Sequence, residues 1–391
     1  MQLIYFLVLI LHALPSFGTP TLALKEAENC AGCHNPGRGQ RPVLERRCTL
    51  DCQGCHIDPA GGGARNQWGK YYSYNVLSSV QLFQVQDPLQ DLSYYDLHFD
   101  GRYMRMQEEN STKQFPMGAE LTLRVRPFVN YLHLIYGLQA LGRSKSEKLL
   151  EDDNNSRRFR EKFAVMIDQL PMNLYLKAFR GQPNYGLRRP NHSLWIRERI
   201  GLDQFALTDG LEFGGTPNVP FFRATLMEGN PEDLEADRQK GYSAHGGFRG
   251  VTMAWHLNAS LWKTSSEKTQ IDMQAFGLGA NFNDFIVYAE RNWREVNKTV
   301  EYLNNGGINE PVFVHPSSKI SELQVSYAGL HGLLFNVYLE QMKYEDEALQ
   351  RKSVSMNVHL LPGLQLELWR RKNETLRLMD TLMILHLYFD I

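Results

Sequence analysis

All five cysteines of this 391-residue sequence lie between positions 30 and 55, and four of them fall into two units of one pattern. Cys30-Ala31-Gly32-Cys33-His34 and Cys52-Gln53-Gly54-Cys55-His56 both read Cys-x-x-Cys-His. Two thiols three positions apart reach the two vinyl groups of one porphyrin, and the adjoining imidazole projects to the iron. The expectation is two c-type haems. Cys30, Cys33, Cys52 and Cys55 would make the thioether links, and His34 and His56 would be the proximal iron ligands. Zinc is the competing reading, because Cys-x-x-Cys pairs also bind it, but zinc does not require a histidine after each second cysteine. A disulfide framework would spread its cysteines through the fold. Cys48 is left over and reads as an unligated structural thiol.

Cys52 follows His34 by eighteen positions, so the two haems are expected close together, with fast electron exchange between them. That spacing is too small for the diheme peroxidases, whose haems occupy separate domains. The stretch from Asp58 to Asn66 contains Gly61-Gly62-Gly63. It reads either as close backbone approach to a haem face or as a plain turn. No Lys-Ser/Thr follows, so a phosphate loop is not indicated.

The elements that would position these groups differ along the chain. Residues 3–11, Leu-Ile-Tyr-Phe-Leu-Val-Leu-Ile-Leu, form an apolar run too short to span a bilayer as a helix. With small residues at Thr21-Leu22-Ala23, residues 1–23 read as a signal peptide; a buried N-terminal strand is the alternative. Residues 24–80 are the diheme segment. Lys and Arg number 42 against 43 Asp and Glu, a net charge of −1, which excludes a nucleic-acid binder needing a basic face.

From about residue 93 to 391 the dominant signal is alternation at period two, the mark of strands with two unlike faces. Val354, Met356, Val358 and Leu360 alternate with Ser353, Ser355, Asn357 and His359. Met383, Leu385, Leu387 and Phe389 alternate with Ile384, His386, Tyr388 and Asp390. Short links at 329–332 and at Pro362-Gly363 alternate with longer polar ones at 343–352 and 371–379. The expected fold is mainly β: an antiparallel outer-membrane barrel of about 16 strands, within a range of 14 to 18. A soluble β-sandwich also alternates, but it would need a second apolar layer that the sequence does not show.

With both parts on the page, the sequence resembles the fused cytochrome c–porin proteins of bacterial outer membranes, in a diheme variant. The resemblance is carried by Cys52-Gln53-Gly54-Cys55-His56-Ile57-Asp58-Pro59, by Arg65-Asn66-Gln67-Trp68-Gly69 and by Tyr185-Gly186-Leu187-Arg188-Arg189-Pro190-Asn191-His192. It implies electron transfer across the outer membrane, including oxidation of extracellular ferrous iron. Iron-oxidising members usually carry one haem, whereas two motifs stand here.

The alternation also nominates distal ligands. In the first strand His98, Asp100, Arg102, Met104 and Met106 would face the lumen, and in the last strand so would His386. Closure makes these strands neighbours. His98 and His386 are therefore candidate distal ligands, with ordinary wet polar residues as the plainer reading and Met104 and Met106 in reserve. His192, on an expected outer loop, reads as surface or as a metal contact. The leading function is an outer-membrane electron conduit between a periplasmic electron carrier and an extracellular metal or redox partner. The haem segment would then lie in the lumen or face the periplasm. A transport porin with a redox-sensing haem plug, and a periplasmic c-type redox enzyme, are the alternatives.

Overall fold

The computed structural model describes residues 56–59, 64–65, 69–70, 79, 94–108, 111–127, 131–141, 159–186, 194–202, 206–215, 220–230, 238–249, 255–267, 269–298, 317–344, 347–361, 363–375 and 378–390. The apolar run at 3–11, Cys30, Cys33, His34, Cys48, Cys52, Cys55 and His192 lie outside the described residues.

Sixteen strands follow in order: β1 (Tyr95–Glu108), β2 (Ser111–Val125), β3 (Leu132–Leu141), β4 (Phe159–Leu170), β5 (Leu174–Gly181), β6 (Thr208–Gly215), β7 (Pro220–Gly229) and β8 (Lys240–Arg249). They continue with β9 (Trp255–Ser265), β10 (Thr269–Phe282), β11 (Phe285–Lys298), β12 (Ser318–Leu330), β13 (Leu333–Tyr344), β14 (Glu347–Leu361), β15 (Leu364–Asn373) and β16 (Leu378–Asp390). Each pairs antiparallel with its sequence neighbours, and β1 closes on β16 with Phe99 opposite Phe389 and Arg102 opposite His386. The sheet has no edge, so no backbone group of an outer strand faces lipid unpaired. Among the described residues no helix is long and apolar enough to cross a membrane.

The outward face turns the usual burial pattern over. On β16 the outward residues Met383, Leu385, Leu387 and Phe389 are more exposed than the inward Leu382, Ile384, His386 and Tyr388, which are buried. Around the wall, Leu121, Leu138, Val165, Leu261, Phe276, Leu339 and Val354 all stand exposed. That surface is stable in hydrocarbon and not in water. It spans four or five outward positions per strand, ~20–27 Å at ~3.3 Å per residue. Tyr95, Tyr131, Phe248, Phe282, Phe285 and Phe389 girdle one end of it. Toward the other end the outward residues become charged, with Arg105, Lys352, Arg370 and Lys372. There Lys372 and Lys352 reach Glu374 at 2.8 and 3.3 Å, and their hydrogen bonds hold its carboxyl below the usual carboxylate range.

An even strand number puts β1's start and β16's end at one rim, here the terminus side. Connections at that rim never exceed six residues (126–131), whereas the opposite, loop-side rim carries 142–158, 182–207, 230–239 and 299–317. Two connections expected to be long, at 343–352 and 371–379, are short: 345–346 and 374–377. Their polar residues instead extend β13 to β16 beyond the apolar belt, where a charged outward face costs nothing. β2 starts at Ser111. A register shift at Arg102/Tyr103 accommodates Pro116, which has no N–H to give the ladder, and turns Met117 into the interior.

Candidate functional site in the barrel interior

The lumen has two unlike halves. On the loop side, the inward residues Met104, Met117, Met227, Trp262, Met273, Ile320, Met342, Trp369, Leu382 and Ile384 form one apolar cluster with residues of the β5–β6 connection. Tyr185, Leu194, Trp195, Ile196, Ile200 and Leu202 belong to it, all at most 5% exposed. This connection folds inward. Its one described helical turn, α1 (Trp195–Glu198), contacts β11 and β12. The Trp195 N–H donates to Glu340 Oε1 at 2.7 Å. Arg351 grips the same carboxylate through Nε at 2.6 Å and Nη2 at 2.8 Å and lies over the Trp195 ring at 4.6 Å. Arg197 Nη1 donates to the Tyr185 carbonyl at 2.7 Å, and the Gly186 N–H donates to Ser260 Oγ at 3.0 Å. Gly186 is at φ +59°, a left-handed backbone conformation that favours glycine. Burial raises the Tyr185 phenol above its ordinary pKa, with Glu290 adding to the rise, so it stays neutral.

On the terminus side the lining is polar. His56 pairs with Arg65 across an antiparallel bridge, and the Ile57 N–H donates to the Ala64 carbonyl at 3.1 Å. These residues sit inside the barrel. Ile57 and Ala64 pack on the fully buried Met166 and Tyr175 of β4 and β5. Lys177 Nζ lies 3.4 Å from Asp58 and 3.0 Å from Glu212, which accepts from Tyr175 Oη at 2.9 Å and Thr225 Oγ1 at 3.1 Å. The Arg223 guanidinium donates to the Pro59 carbonyl. The Arg65 guanidinium covers the Tyr388 ring at 4.1 Å. Lys70 reaches Asp96 of β1 at 2.8 Å, where Arg124 also binds, and the Ser79 N–H donates to the His359 carbonyl at 2.9 Å.

Six strand histidines face this same half: His98, His133, His245, His256, His359 and His386, none more than 9% exposed. Each stands within five positions of the terminus-side end of its strand. His98 and His386 do lie on paired strands facing inward, as the alternation predicts. They are not directly opposite, for His98 faces Asp390 and Thr122 while His386 faces Arg102. His386 Nε2 lies 2.9 Å from Asp100 Oδ2, and His133 Nε2 lies 3.2 Å from Asp168 Oδ1. Met104 is part of the loop-side cluster and Met106 packs against it. Of the two Cys-x-x-Cys-His units only His56 falls among the described residues, and no group of three or more metal-binding side chains occurs among these.

Three solved structures share the architecture. A loop L8 deletion mutant of OmpT, an outer membrane protein of Vibrio cholerae, superposes with a TM-score of 0.55 at 11% identity, covering 75% of this chain and 99% of that one. Salmonella typhi OmpF in complex with daunomycin gives 0.53 at 9% identity, over 75% and 97%. A double mutant of Rh. blastica porin gives 0.51 at 9% identity, over 75% and 100%. The chain has a porin-like β-barrel fold. No protein-family model and no curated protein matches it. At such identities the likeness concerns the fold of the porin-like barrel and carries no residue role across.

Sequence reasoning missed the inward connection, placing Tyr185 and its neighbours on the outside. Its sign was present in Leu194-Trp195-Ile196, an apolar run that a water-exposed loop has no reason to carry. It also passed over His245. That strand, with Gly241, Ala244, Gly246 and Gly247, alternates too weakly to reveal its faces.

Proposed function

We propose that this chain is an outer-membrane electron conduit: a diheme c-type cytochrome segment lodged in, and insulated by, a porin-like barrel. Short turns at the terminus-side rim and long loops opposite support a periplasmic terminus side, by the usual asymmetry of outer-membrane barrels. Electrons would pass between a periplasmic carrier and an extracellular metal or redox partner, with iron the leading metal.

The observation that carries this reading is the lumen. Its loop-side half is packed with methionine, tryptophan and aliphatic side chains instead of the polar lining of a water-filled pore. Its other half holds the backbone that directly follows the second attachment motif. A barrel filled in this way is poorly built for solute diffusion and well built to exclude lipid and water from an internal redox centre. Bound haem supplies a one-electron centre whose potential depends on its axial ligands and burial. The chain's residues fit it. Cys30, Cys33, Cys52 and Cys55 would make the thioether links, and His34 and His56 would take the proximal positions. Buried imidazoles, His98 and His386 among them, stand ready for the distal side, and Arg223, Arg249 and Lys177 can face the porphyrin carboxylates.

The second reading is a transport porin with a redox-sensing haem plug, favoured by the neighbours' fold. A periplasmic soluble enzyme does not suit the apolar outer wall. Proteoliposomes separate the first two. The conduit reading expects internal haem to be reduced by a membrane-impermeant donor added outside, with negligible ion conductance. Porin-scale conductance with no transmembrane reduction would overturn it.

A further inference from the structure

We propose that His245 is the distal axial ligand of the haem iron carried by His56, with Arg223 and Arg249 flanking the porphyrin carboxylates. The proposal rests on the conduit reading and deepens it. His245 is 3% exposed, and its Nδ1 is fixed by Ser260 Oγ at 2.7 Å. Ser260 is itself held, since it accepts the Gly186 N–H at 3.0 Å. The other nitrogen, Nε2, is buried with no hydrogen-bond partner among the described residues. Leaving a buried polar atom unsatisfied is costly, so a native fold normally gives it a partner. One ring nitrogen anchored while the other is presented is the arrangement of an imidazole awaiting a metal.

The surroundings match. Register sets His245 beside Arg223 of β7, and Arg223 donates to the carbonyl of Pro59, three residues after His56. The barrel wall here therefore meets the very segment that carries the proximal ligand. Phe221 stands 5.3 Å from the His245 ring, and Arg249 lies over Phe221 at 4.2 Å, so an apolar ring and cations adjoin the imidazole. His133 and His386 differ, because each faces a carboxylate, Asp168 and Asp100.

The test uses the full haem-loaded protein, its folding verified by heat-modifiable migration. His245→Ala should convert one of the two ferric haems from low-spin to high-spin by optical and electron paramagnetic resonance spectra, and added imidazole should restore it. His98→Ala and His386→Ala should leave that same haem low-spin. If His245→Ala fails to fold, His245→Met decides, since a thioether ligand should keep that haem low-spin while raising its potential. Two unchanged haems in His245→Ala, an unchanged potential in His245→Met, or conversion of that same haem to high-spin in His98→Ala or His386→Ala overturns the assignment and leaves the conduit intact. A wild-type protein without covalent haem removes both.

Discussion

The two halves of the lumen are built from the same sixteen strands yet follow opposite rules. On the loop side the inward positions are apolar and meet an inward-folded connection, so this half packs like the core of a soluble protein. On the terminus side the inward positions are His, Arg, Lys, Asp and Glu, and they meet a turn of the N-terminal segment through ion pairs and backbone hydrogen bonds. The difference teaches that strand alternation specifies only which residues point inward. What fills the inside is set by the chemistry of those residues, and here it changes along each strand.

The contrast can be broken from its most sensitive point downward. Glu340 lies under Arg351 and the Trp195 N–H, and Glu340→Ala takes the carboxylate away from a buried guanidinium. A loss of ~3–5 kcal/mol in urea-unfolding stability is expected, and an unchanged midpoint would show that the plug is not anchored there. Ile196→Ala removes a fully buried side chain from the apolar half and should cost ~2–5 kcal/mol. In planar bilayers the same variant should raise conductance; if the lumen is already open, conductance will not change. On the terminus side, Lys177→Ala leaves Glu212 without its cation and should cost ~1–3 kcal/mol. It should also speed protease cleavage within residues 56–65 without altering conductance, which distinguishes the two halves. Arg65→Ala removes one cation–π contact with Tyr388 and is expected to cost only ~0.5–2 kcal/mol, read as a small shift in the unfolding midpoint.

Much of this architecture is legible in the sequence where alternation is strong. From Leu323 onward the outward Val, Leu and Phe and the inward Ser, Asn and Glu give the strands, their faces and the closing pair directly. In the first strand the same parity places His98, Asp100 and Arg102 inside. The inward connection is not legible that way, because Leu194–Leu202 acquires its meaning from Glu340 and Arg351, more than a hundred residues later. His245 is obscured for a different reason. Its glycine-rich strand lets backbones approach closely but gives period-two reasoning little to count. The two Cys-x-x-Cys-His units carry an expectation of haem from their spacing, and of their residues only His56 falls among the described ones.

The contacts of Lys70 with Asp96 and of Arg65 with Tyr388 fall on either side of the place where the first and last strands join. A porin-like barrel becomes a closed cylinder only when that join forms. In this chain a stretch synthesised before any strand fastens to both flanks from within, like a lace drawn across a boot. Closure and seating are thereby expected together: these two contacts bring one N-terminal segment against both sides of the join.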